Sequence, residues 1–501
     1  MEINVMAGDV KRVKAGAVIV SFFKGMKRLG GDIASMDKAL GGVIDGLVSR
    51  GEVKGKLGEI NIIHSLGKLA AERVVIMGLG KKEELNLDKI RGAVAEACRY
   101  LKNKRVDDIA TVAHGVGVRD ITLDGSAQAI TEGALLGVYA FRKHITKDDE
   151  HIELKKLTVV GSKAADVPLL EQGCNKGRIL AEAANLARDM VNEPANYMTP
   201  SDMAEMAKKI AKDHNLELSV LDKQEMQKLG MGALLGVAQG SCQPPKFIIL
   251  KYKGREADEI DLALVGKGVT FDSGGISLKP SEKMEEMKDD MSGGAAVIAA
   301  ISAIAKLKPR VNVAAIVPAV ENLPGGSALK PGDVLKSMSG KTIEIISTDA
   351  EGRLILADAL GYTNKLKPNL IVDVATLTGA CKIALGNVCT GVFGNNQELV
   401  DKVVAAGTQA GELMWQMPMY EEYKEQNKSD VADIKNTGGR AAGSITAAQF
   451  LAEFVSETPW VHLDIAGTSF GDKERKYLVK GATGVPMRTL VNLALAVAKE
   501  V

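Results

Sequence analysis

The sequence predicts an α/β protein with two domains, a smaller N-terminal one and a larger C-terminal one. Its 501 residues exceed the roughly 250 to 300 at which a single hydrophobic core stops growing. Apolar runs typical of strands alternate with helix-like stretches along the chain. We place the boundary near residue 165, which gives domains 1–165 and 166–501.

The first domain alternates the two kinds of segment. Runs at 16–23, 73–78 and 157–161 are β-like, and those at 87–101 and 125–142 are helix-like. Because strands and helices alternate, we expect an α/β fold for this domain as well.

The second domain starts with an Ala-rich helix near residue 176, which Pro194 stops. Ser201 is expected to cap the following helix. The later strands read PKFIILKYK, IDLALVGKG, VNVAAIVPAV and NLIVDVATLT, and helical stretches separate most of them. Continuous apolar strands indicate a mixed, largely buried sheet flanked by helices.

Composition excludes several classes of protein. The 64 Lys plus Arg against 63 Asp plus Glu give no field that attracts polyanions, so we expect nucleic acid only as a secondary partner, through a local basic patch. Five cysteines without CxxC spacing favour reduced thiols in a cytosol. No apolar run reaches the ~18 residues of a membrane span. We therefore expect a cytoplasmic protein without membrane contact.

Three polar clusters stand at the ends of predicted strands, where α/β folds place ligands. In the first, VGKGVTFDSGGISLKP, Lys267 and Asp272 flank a β-like run and Lys279 follows a Gly-Gly turn. A lysine at a buried strand end is costly as a cation, which favours a neutral amine ligand or a catalytic lysine. The alternative is a pair of loop lysines that extend into solvent.

The second cluster, KMEEMKDDMSGGAAV, carries Asp289 and Asp290 before an apolar helix. Two aspartates at this position can stabilise the helix N-terminus through its dipole. They can equally ligate a metal ion. The segment by itself leaves both readings open.

The third cluster, STDAEGRLILADAL, places Asp349 and Glu351 two residues apart, so in an extended chain both point to one side. Two carboxylates on one side favour a hard or borderline cation. Arg353 adds a fixed charge able to hold a carboxylate-like anion. Helix capping by the same residues is the alternative.

Histidines and nucleophile motifs argue against other hydrolases. None of the six histidines belongs to an HExxH motif, and His462 is expected to be a structural strand residue. The chain also lacks the G-x-S-x-G elbow of serine hydrolases. A metal site here has to be built from carboxylates and an amine.

The segments VGKGVTFDSGGISLKP and STDAEGRL together resemble the leucyl aminopeptidase family of dimetal exopeptidases. The likeness extends through NEPANYMTP, MSGGAAV, ENLPGG, DVATLTGAC and HLDIAGT, whereas the first domain resembles the family only in size and α/β character. One departure is Ser347, where the family usually has Asn, which puts a local turn hydrogen bond in doubt.

This resemblance implies roles for particular residues. Two divalent metal ions, Mn or Zn, would be held by Lys267, Asp272, Asp290, Asp349 and Glu351. Lys279 would act on the scissile carbonyl. A bicarbonate serving as general base would be bound by Arg353 with Ala350, Gly352 and Leu377. The first side-chain pocket would include Met287, Thr376, Gly379 and Ala466. Asp289 would be a bystander.

The implied activity is metal-dependent release of N-terminal residues, with leucine and other apolar side chains preferred, from peptides with a free N-terminus. The family also implies a homohexamer. Two alternatives remain: another dimetal amidohydrolase with similar metal chemistry, and a hexamer that binds nucleic acid in an architectural role.

Overall fold

The computed structural model describes residues 1–147 and 152–501, and it divides into two compact units. The first unit comprises Met1–Glu182 and Lys473–Val479, and the second comprises Ala183–Asp472 and Lys480–Val501. Along the chain, the division between the units falls within the helix Val167–Asn192. The sequence analysis places the boundary just before this helix. The boundary at residue 165 stays a prediction.

The first unit is a mixed sheet with helices. Its strands are β1 (Glu2–Ala7), β2 (Ala17–Phe22), β3 (Ile60–His64), β4 (Arg73–Gly78), β5 (Asp108–Val112) and β6 (Lys156–Gly161). In the described part of the chain they form a six-stranded sheet of order β1-β6-β5-β2-β4-β3, in which β3 is antiparallel to β4 and the other pairs are parallel. The helices are α1 (Gly31–Leu40), α2 (Val43–Ser49), α3 (Leu87–Asn103), α4 (Leu123–Gly137) and α5 (Val167–Asn192), which continues into the second unit.

Local sequence explains the ends of the helices in this unit. Asn86 caps α3 by accepting a hydrogen bond from the Lys89 N–H at 2.9 Å. α4 ends at Gly137, five residues before the predicted end at 142, so that prediction was too long. Glycine is a poor helix former, which favours termination there.

The second unit contains the larger sheet. Its strands are β7 (Glu217–Leu221), β8 (Lys246–Lys253), β9 (Leu262–Gly266), β10 (Gly268–Asp272), β11 (Asn312–Asn322), β12 (Val334–Lys336), β13 (Thr342–Glu344), β14 (Leu370–Ala375), β15 (Thr390–Gly394), β16 (Met414–Gln416), β17 (Ile434–Lys435), β18 (Trp460–Asp464), β19 (Phe470–Gly471) and β20 (Gly481–Ala482). Its helices are α6 (Pro200–His214), α7 (Lys223–Leu229), α8 (Gly232–Ala238), α9 (Ser292–Leu307), α10 (Gly352–Lys365), α11 (Gly379–Leu385), α12 (Gln397–Ala410), α13 (Gly443–Ala452) and α14 (Met487–Val497).

The central strands of this sheet share one direction. The order is β16-β15-β18-β14-β9-β11-β8-β7, with β10 paired to β11. The pairs β18–β14, β14–β9, β9–β11 and β11–β10 are parallel. The carboxyl ends of these five strands therefore meet at one edge, where ligands bind in such sheets.

The start of α6 differs from the sequence prediction. Thr199, not Ser201, is the N-cap, and its hydroxyl and the Asp202 carboxylate each accept a backbone N–H from the other residue. Pro200 occupies the first turn, where its missing N–H costs nothing.

One helical stretch, Met284–Leu307, is long and apolar enough to cross a membrane by length and composition, among the residues that the structure describes. The sequence criterion of an unbroken apolar run missed it because charged residues stand near both ends. Of its most apolar window, 89 % is buried inside the fold, so its apolar surface packs against the protein itself.

Candidate metal centre

The parallel strand ends gather the residues of the three polar clusters. Lys267 follows β9, Asp272 ends β10 and Thr376 follows β14. Asp290 lies in a 3₁₀ segment, Met284–Met291, that precedes α9, while Glu351 is the N-cap of α10. Residues from separate stretches of sequence thus meet at one edge of the sheet.

Lys267 lies at the centre of this site and is almost completely buried. Its Nζ lies 2.7 Å from Asp290 Oδ1, 2.8 Å from Glu351 Oε1 and 2.9 Å from the carbonyl oxygen of Thr376. Burial opposes the charged amine, but the Asp290 and Glu351 carboxylates outweigh it and raise the pKa of Lys267. Gly352 leaves room for this side chain, because a Cβ there would stand 2.5 Å from Lys267 Cε and would displace it.

Three carboxylates come together around this lysine. Asp272, Asp290 and Glu351 each offer an oxygen within 4.8 Å of the others, and all three are buried. Asp290 Oδ2 and Glu351 Oε2 have no hydrogen-bond partner among the residues that the structure describes. Burial, with the neighbouring carboxylates, raises the pKa of Asp290 well above its ordinary value, and it raises that of Asp272 as well.

Lys279 joins two carboxylates from the first and third clusters. Its Nζ lies 2.7 Å from Asp272 Oδ2 and also contacts Asp349 Oδ1. The Gly-Gly turn returns the chain to this position, with Gly274 at φ +87°, a conformation that other residues adopt at a cost. The Asp349 side chain is 40 % exposed, so Asp349 lies at the open side of the cluster.

The donor set fits divalent metal ions. Four carboxylates, those of Asp272, Asp290, Asp349 and Glu351, surround two ammonium groups. Buried oxygens without donors are costly, and metal ions are the usual means of pairing them. Carboxylate oxygens with an amine suit Mn, Zn, Mg or Co.

Arg353 is the second residue of α10 and is buried. It donates from Nη1 to the carbonyl oxygen of Asn436 at 2.8 Å, and its Nε has no partner within residues 1–147 and 152–501. Burial lowers the pKa of Arg353 to about 10. A buried guanidinium whose Nε–H has no partner among the described residues is suited to hold an anion.

Two of the other residues predicted for the bicarbonate site, Ala350 and Leu377, have hydrogen-bond partners of their own. The Ala350 carbonyl accepts a hydrogen bond from Asn436 Nδ2 at 3.5 Å. The Leu377 N–H donates to Asp464 Oδ1 at 3.3 Å. Gly352 is the first residue of α10. Their role in holding bicarbonate stays a prediction.

The residues predicted for the substrate pocket fall on three segments. Thr376 and Gly379 follow β14, and Ala466 follows β18, next to it in the sheet. Met287 is half-buried in the 3₁₀ segment Met284–Met291. Thr376 contacts the cluster directly, because its hydroxyl donates to Asp290 Oδ1 at 2.8 Å.

Asp289, predicted to be a bystander, has surroundings different from those of Asp290. Its Oδ2 accepts a hydrogen bond from Ser469 Oγ at 3.3 Å, and burial raises its pKa to about 6. It is not one of the three carboxylates that share the cluster.

Ser347, the departure from the family pattern, keeps a turn hydrogen bond, because its Oγ accepts the Asp349 N–H at 3.3 Å. His462 lies in β18, and its Nδ1 contacts Asp373 Oδ1 at 2.6 Å instead of joining the cluster.

Two asparagines that support the site were missed by the sequence reasoning. Asn322 Nδ2 donates to Asp272 Oδ1 at 2.8 Å and to the Thr348 carbonyl at 3.0 Å. Asn436 contacts Arg353 and the backbone of Ser347. Asn322 ends β11, so the strand-end argument applied to the other residues could have found it, whereas the loop around Asn436 offers no such signal.

Family models match most of the chain. The model of the cytosol aminopeptidase family, catalytic domain, matches residues 185–491, and that of its N-terminal domain matches residues 19–147. A probable cytosol aminopeptidase of Alkaliphilus metalliredigens is 45 % identical over 501 residues, which is 100 % of each chain.

Solved structures of two enzymes are similar over nearly the whole chain. A mutant of tomato leucine aminopeptidase has a TM-score of 0.89 at 34 % identity and covers 99 % of this chain and 96 % of its own. The bottromycin maturation enzyme BotP, in complex with Mn, has a TM-score of 0.85 at 32 % identity, covering 97 % of this chain and 100 % of its own. The predicted two-domain α/β fold is confirmed, and the chain belongs to the cytosol aminopeptidase family.

Proposed function

We propose that the chain releases leucine and other apolar N-terminal residues from peptides at the carboxylate cluster, with two divalent metal ions bound there. Family membership makes it a metal-dependent hydrolase of peptide N-termini. The observation that carries the proposal is the pair of buried oxygens, Asp290 Oδ2 and Glu351 Oε2, that have no donor in the described part of the chain.

The metal ligands in this proposal are Lys267, Asp272, Asp290, Asp349 and Glu351. Bound metal ions supply Lewis acidity and lower the pKa of water to near 7. Lys267 must lose a proton to act as a ligand, since ligands bind metals in their deprotonated form. Asp290 and Glu351 form ion pairs with the Lys267 ammonium. Once Lys267 is neutral, these two carboxylates would be available to bind the metal ions.

Lys279 and Arg353 complete the proposed chemistry. Lys279 reaches the open side of the cluster beside Asp349, where its ammonium can donate to the scissile carbonyl oxygen as negative charge develops. Arg353, with Ala350, Gly352 and Leu377, would hold bicarbonate, which supplies a general base. The Arg353 Nε atom without a partner supports an anion at this position.

Mn or Zn are the metals we propose. The Mn complex of BotP, 32 % identical to this chain, supports Mn. The donor set alone favours neither.

We also propose a cytoplasmic homohexamer. The relatives carry cytosol aminopeptidase in their names. Exposed large side chains, Ile383, Trp415, Tyr420 and Val431, would suit contacts between copies. A secondary role with nucleic acid has no support from the net charge of +1.

The proposal is tested by metal-dependent cleavage of leucine p-nitroanilide. The full chain is stripped with a chelator and assayed before and after Mn or Zn is added. Metal should restore cleavage of the free substrate and not of its N-acetylated form. Lys279→Ala should lower kcat by about 10² to 10³, because it removes the ammonium that donates to the scissile carbonyl oxygen as negative charge develops there.

Lys283→Ala is the matched control, since Lys283 is an exposed lysine nearby that pairs only loosely with Glu286, at 3.7 Å. It should retain the activity of the unmodified chain. Cleavage of the N-acetylated substrate would favour a different dimetal amidohydrolase. No cleavage of any peptide with a free N-terminus by the folded, metal-loaded chain would refute the proposal.

A further inference from the structure

Asp464 is a buried carboxylate that the proposed chemistry does not use. It ends β18 and is 1 % exposed. Its Oδ1 accepts the backbone N–H groups of Leu377 at 3.3 Å, Thr378 at 3.4 Å and Ala466 at 3.1 Å, and its Oδ2 accepts the Thr378 hydroxyl at 2.6 Å. One side chain therefore satisfies four donors.

These hydrogen bonds join two separate segments of chain. Leu377 and Thr378 follow β14, and Ala466 belongs to the turn after β18. The same two segments carry three of the four residues proposed for the substrate pocket, Thr376, Gly379 and Ala466. Asp464 thus fixes the spacing of two pocket walls without belonging to either lining.

The other end of the first segment is held by the metal centre. The Thr376 carbonyl accepts from Lys267 at 2.9 Å, and its hydroxyl donates to Asp290 at 2.8 Å. Thr378 also caps α11 by accepting the Cys381 N–H at 3.0 Å. The segment therefore has two separate attachments, one to the metal centre through Thr376 and one to Asp464 through Leu377 and Thr378.

Charged neighbours offset part of the effect of burial on the Asp464 carboxylate. Burial raises the pKa of Asp464, and the His462 side chain and the hydrogen bonds oppose this effect. Burial likewise disfavours the charged imidazole of His462, but the Asp373 carboxylate outweighs it and raises the pKa of His462. Arg353 lies close enough to interact electrostatically with Asp464. Hydrogen bonds to a charged acceptor are about twice as strong as neutral ones.

We propose that Asp464 is a positioning residue for substrate selectivity, which holds the 376–379 segment and the turn at 464–466 at the separation that fits a leucine-sized side chain. The inference rests on the proposed pocket. A hydrophobic pocket can favour one side chain over another that differs by a single methylene by about 10- to 200-fold in kcat/KM. Such selectivity requires rigid pocket walls. A loosened wall accepts small and large side chains more evenly.

The test compares alanine, leucine and phenylalanine p-nitroanilides with the full-length, metal-loaded chain and three variants. Asp464→Asn keeps the shape and removes the charge. It should lower the leucine-to-alanine ratio of kcat/KM by about tenfold, mainly through a higher KM for leucine. Any effect on the general base through Leu377 should lower kcat for alanine and leucine equally and so leave the ratio unchanged. Thr378→Val removes one of the four donors and should lower the ratio by about threefold.

Asp358→Asn is the matched control. Asp358 is a buried carboxylate of the same unit that accepts the backbone N–H groups of Leu234 at 2.8 Å and Met338 at 2.7 Å, neither of them on the pocket segments. Like Asp464→Asn, the Asp358→Asn variant weakens hydrogen bonds from backbone N–H groups to a buried carboxylate. It should therefore destabilise the fold but leave the leucine-to-alanine ratio of kcat/KM within about twofold of the original.

An unchanged ratio in folded Asp464→Asn, or an equal fall in Asp358→Asn, would overturn the inference and leave the proposed function standing. If Asp464→Asn does not fold, Thr378→Val decides, and an unchanged ratio there overturns the inference. No cleavage by the unmodified chain would overturn both this inference and the proposed function.

Discussion

Two buried glutamates, one in each unit, are paired in different ways. Glu132 in α4 has a partner for each oxygen: Gln128 Nε2 donates to Oε1 at 2.7 Å, and the Arg91 guanidinium forms an ion pair with Oε2, with Nε 2.8 Å away. Glu351 has Lys267 at 2.8 Å from Oε1, but no donor for Oε2 among the described residues. Their exposed fractions are 1 % and 2 %, so burial does not separate them.

This is the difference expected between an acid that stabilises the fold and one that we propose as a metal ligand. A buried carboxylate whose two oxygens both have partners is compatible with a stable fold, whereas a buried carboxylate oxygen without a partner destabilises the fold. In the second unit, both Glu351 and Asp290 have such an oxygen without a partner among the described residues, and both should destabilise the metal-free fold. We infer that the cost is offset when metal ions bind, and that Glu132 needs no ligand.

The largest expected effect is the loss of activity in Glu351→Gln. The amide keeps the size of the side chain but removes a proposed metal ligand, so kcat/KM should fall by about 10³ or more, the equivalent of several kcal/mol of charge stabilisation. The metal-free variant should melt no lower than the unmodified chain, because one carboxylate leaves a crowded cluster. Activity assays and thermal melting, with and without Mn, check both parts. A variant with more than a tenth of the original activity would contradict the assignment.

The second effect is on stability, in Glu132→Gln. This change leaves the Arg91 guanidinium without its nearest counter-charge, and breaking a buried pair in this way costs about 4 kcal/mol. Asp88, 3.5 Å from Arg91, compensates in part. Urea unfolding should show the loss, while kcat of the folded fraction stays within about twofold. If both glutamates behaved alike in the two assays, the distinction between them would fail.

The sequence predicted the fold where local pattern and tertiary structure agree. The run 73–78 is β4, and the helix predicted from residue 87 is α3. The start of α6 was wrong because Ser201 and Thr199 are both good caps, and only the reciprocal bonds with Asp202 distinguish them. The two-residue strand β17 was missed because it depends on pairing with β13, which is distant in sequence.

The site was predictable in part for the same reason. Lys267 and Asp272 stand at strand ends, and the edge of a parallel sheet brings such residues together. Glu351 reaches the same cluster as the N-cap of α10. Asp289 and Asp290 are adjacent in sequence, so the residues alone did not say which one faces the cluster. Asn436 and Asp464 act through hydrogen bonds to residues more than 80 positions away, which no local pattern records.

The smallest expected effect concerns His114, a buried group that the first unit keeps neutral instead of pairing with a charge. Its Nε2 lies 2.9 Å from the Thr111 hydroxyl, and burial lowers its pKa to about 4 from the ordinary 6.5. Between these two values the unfolded chain takes up a proton that the folded chain does not, so stability falls as pH falls from 6.5 to 4. The loss should reach about 3 kcal/mol at the acid end.

His114→Gln removes this titration while keeping a polar atom toward Thr111. Urea midpoints at pH 7.5 and 4.5 should therefore differ less in the variant than in the unmodified chain, because the carboxylates common to both contribute equally. The measurement follows the first unit, for example by proteolysis within residues 1–147 during unfolding. An equal acid loss in both proteins would mean that His114 is protonated in the folded chain. Neutral burial would then not be how the first unit tolerates this ionisable side chain, and the contrast with the charged cluster of the second unit would rest on Glu132 alone.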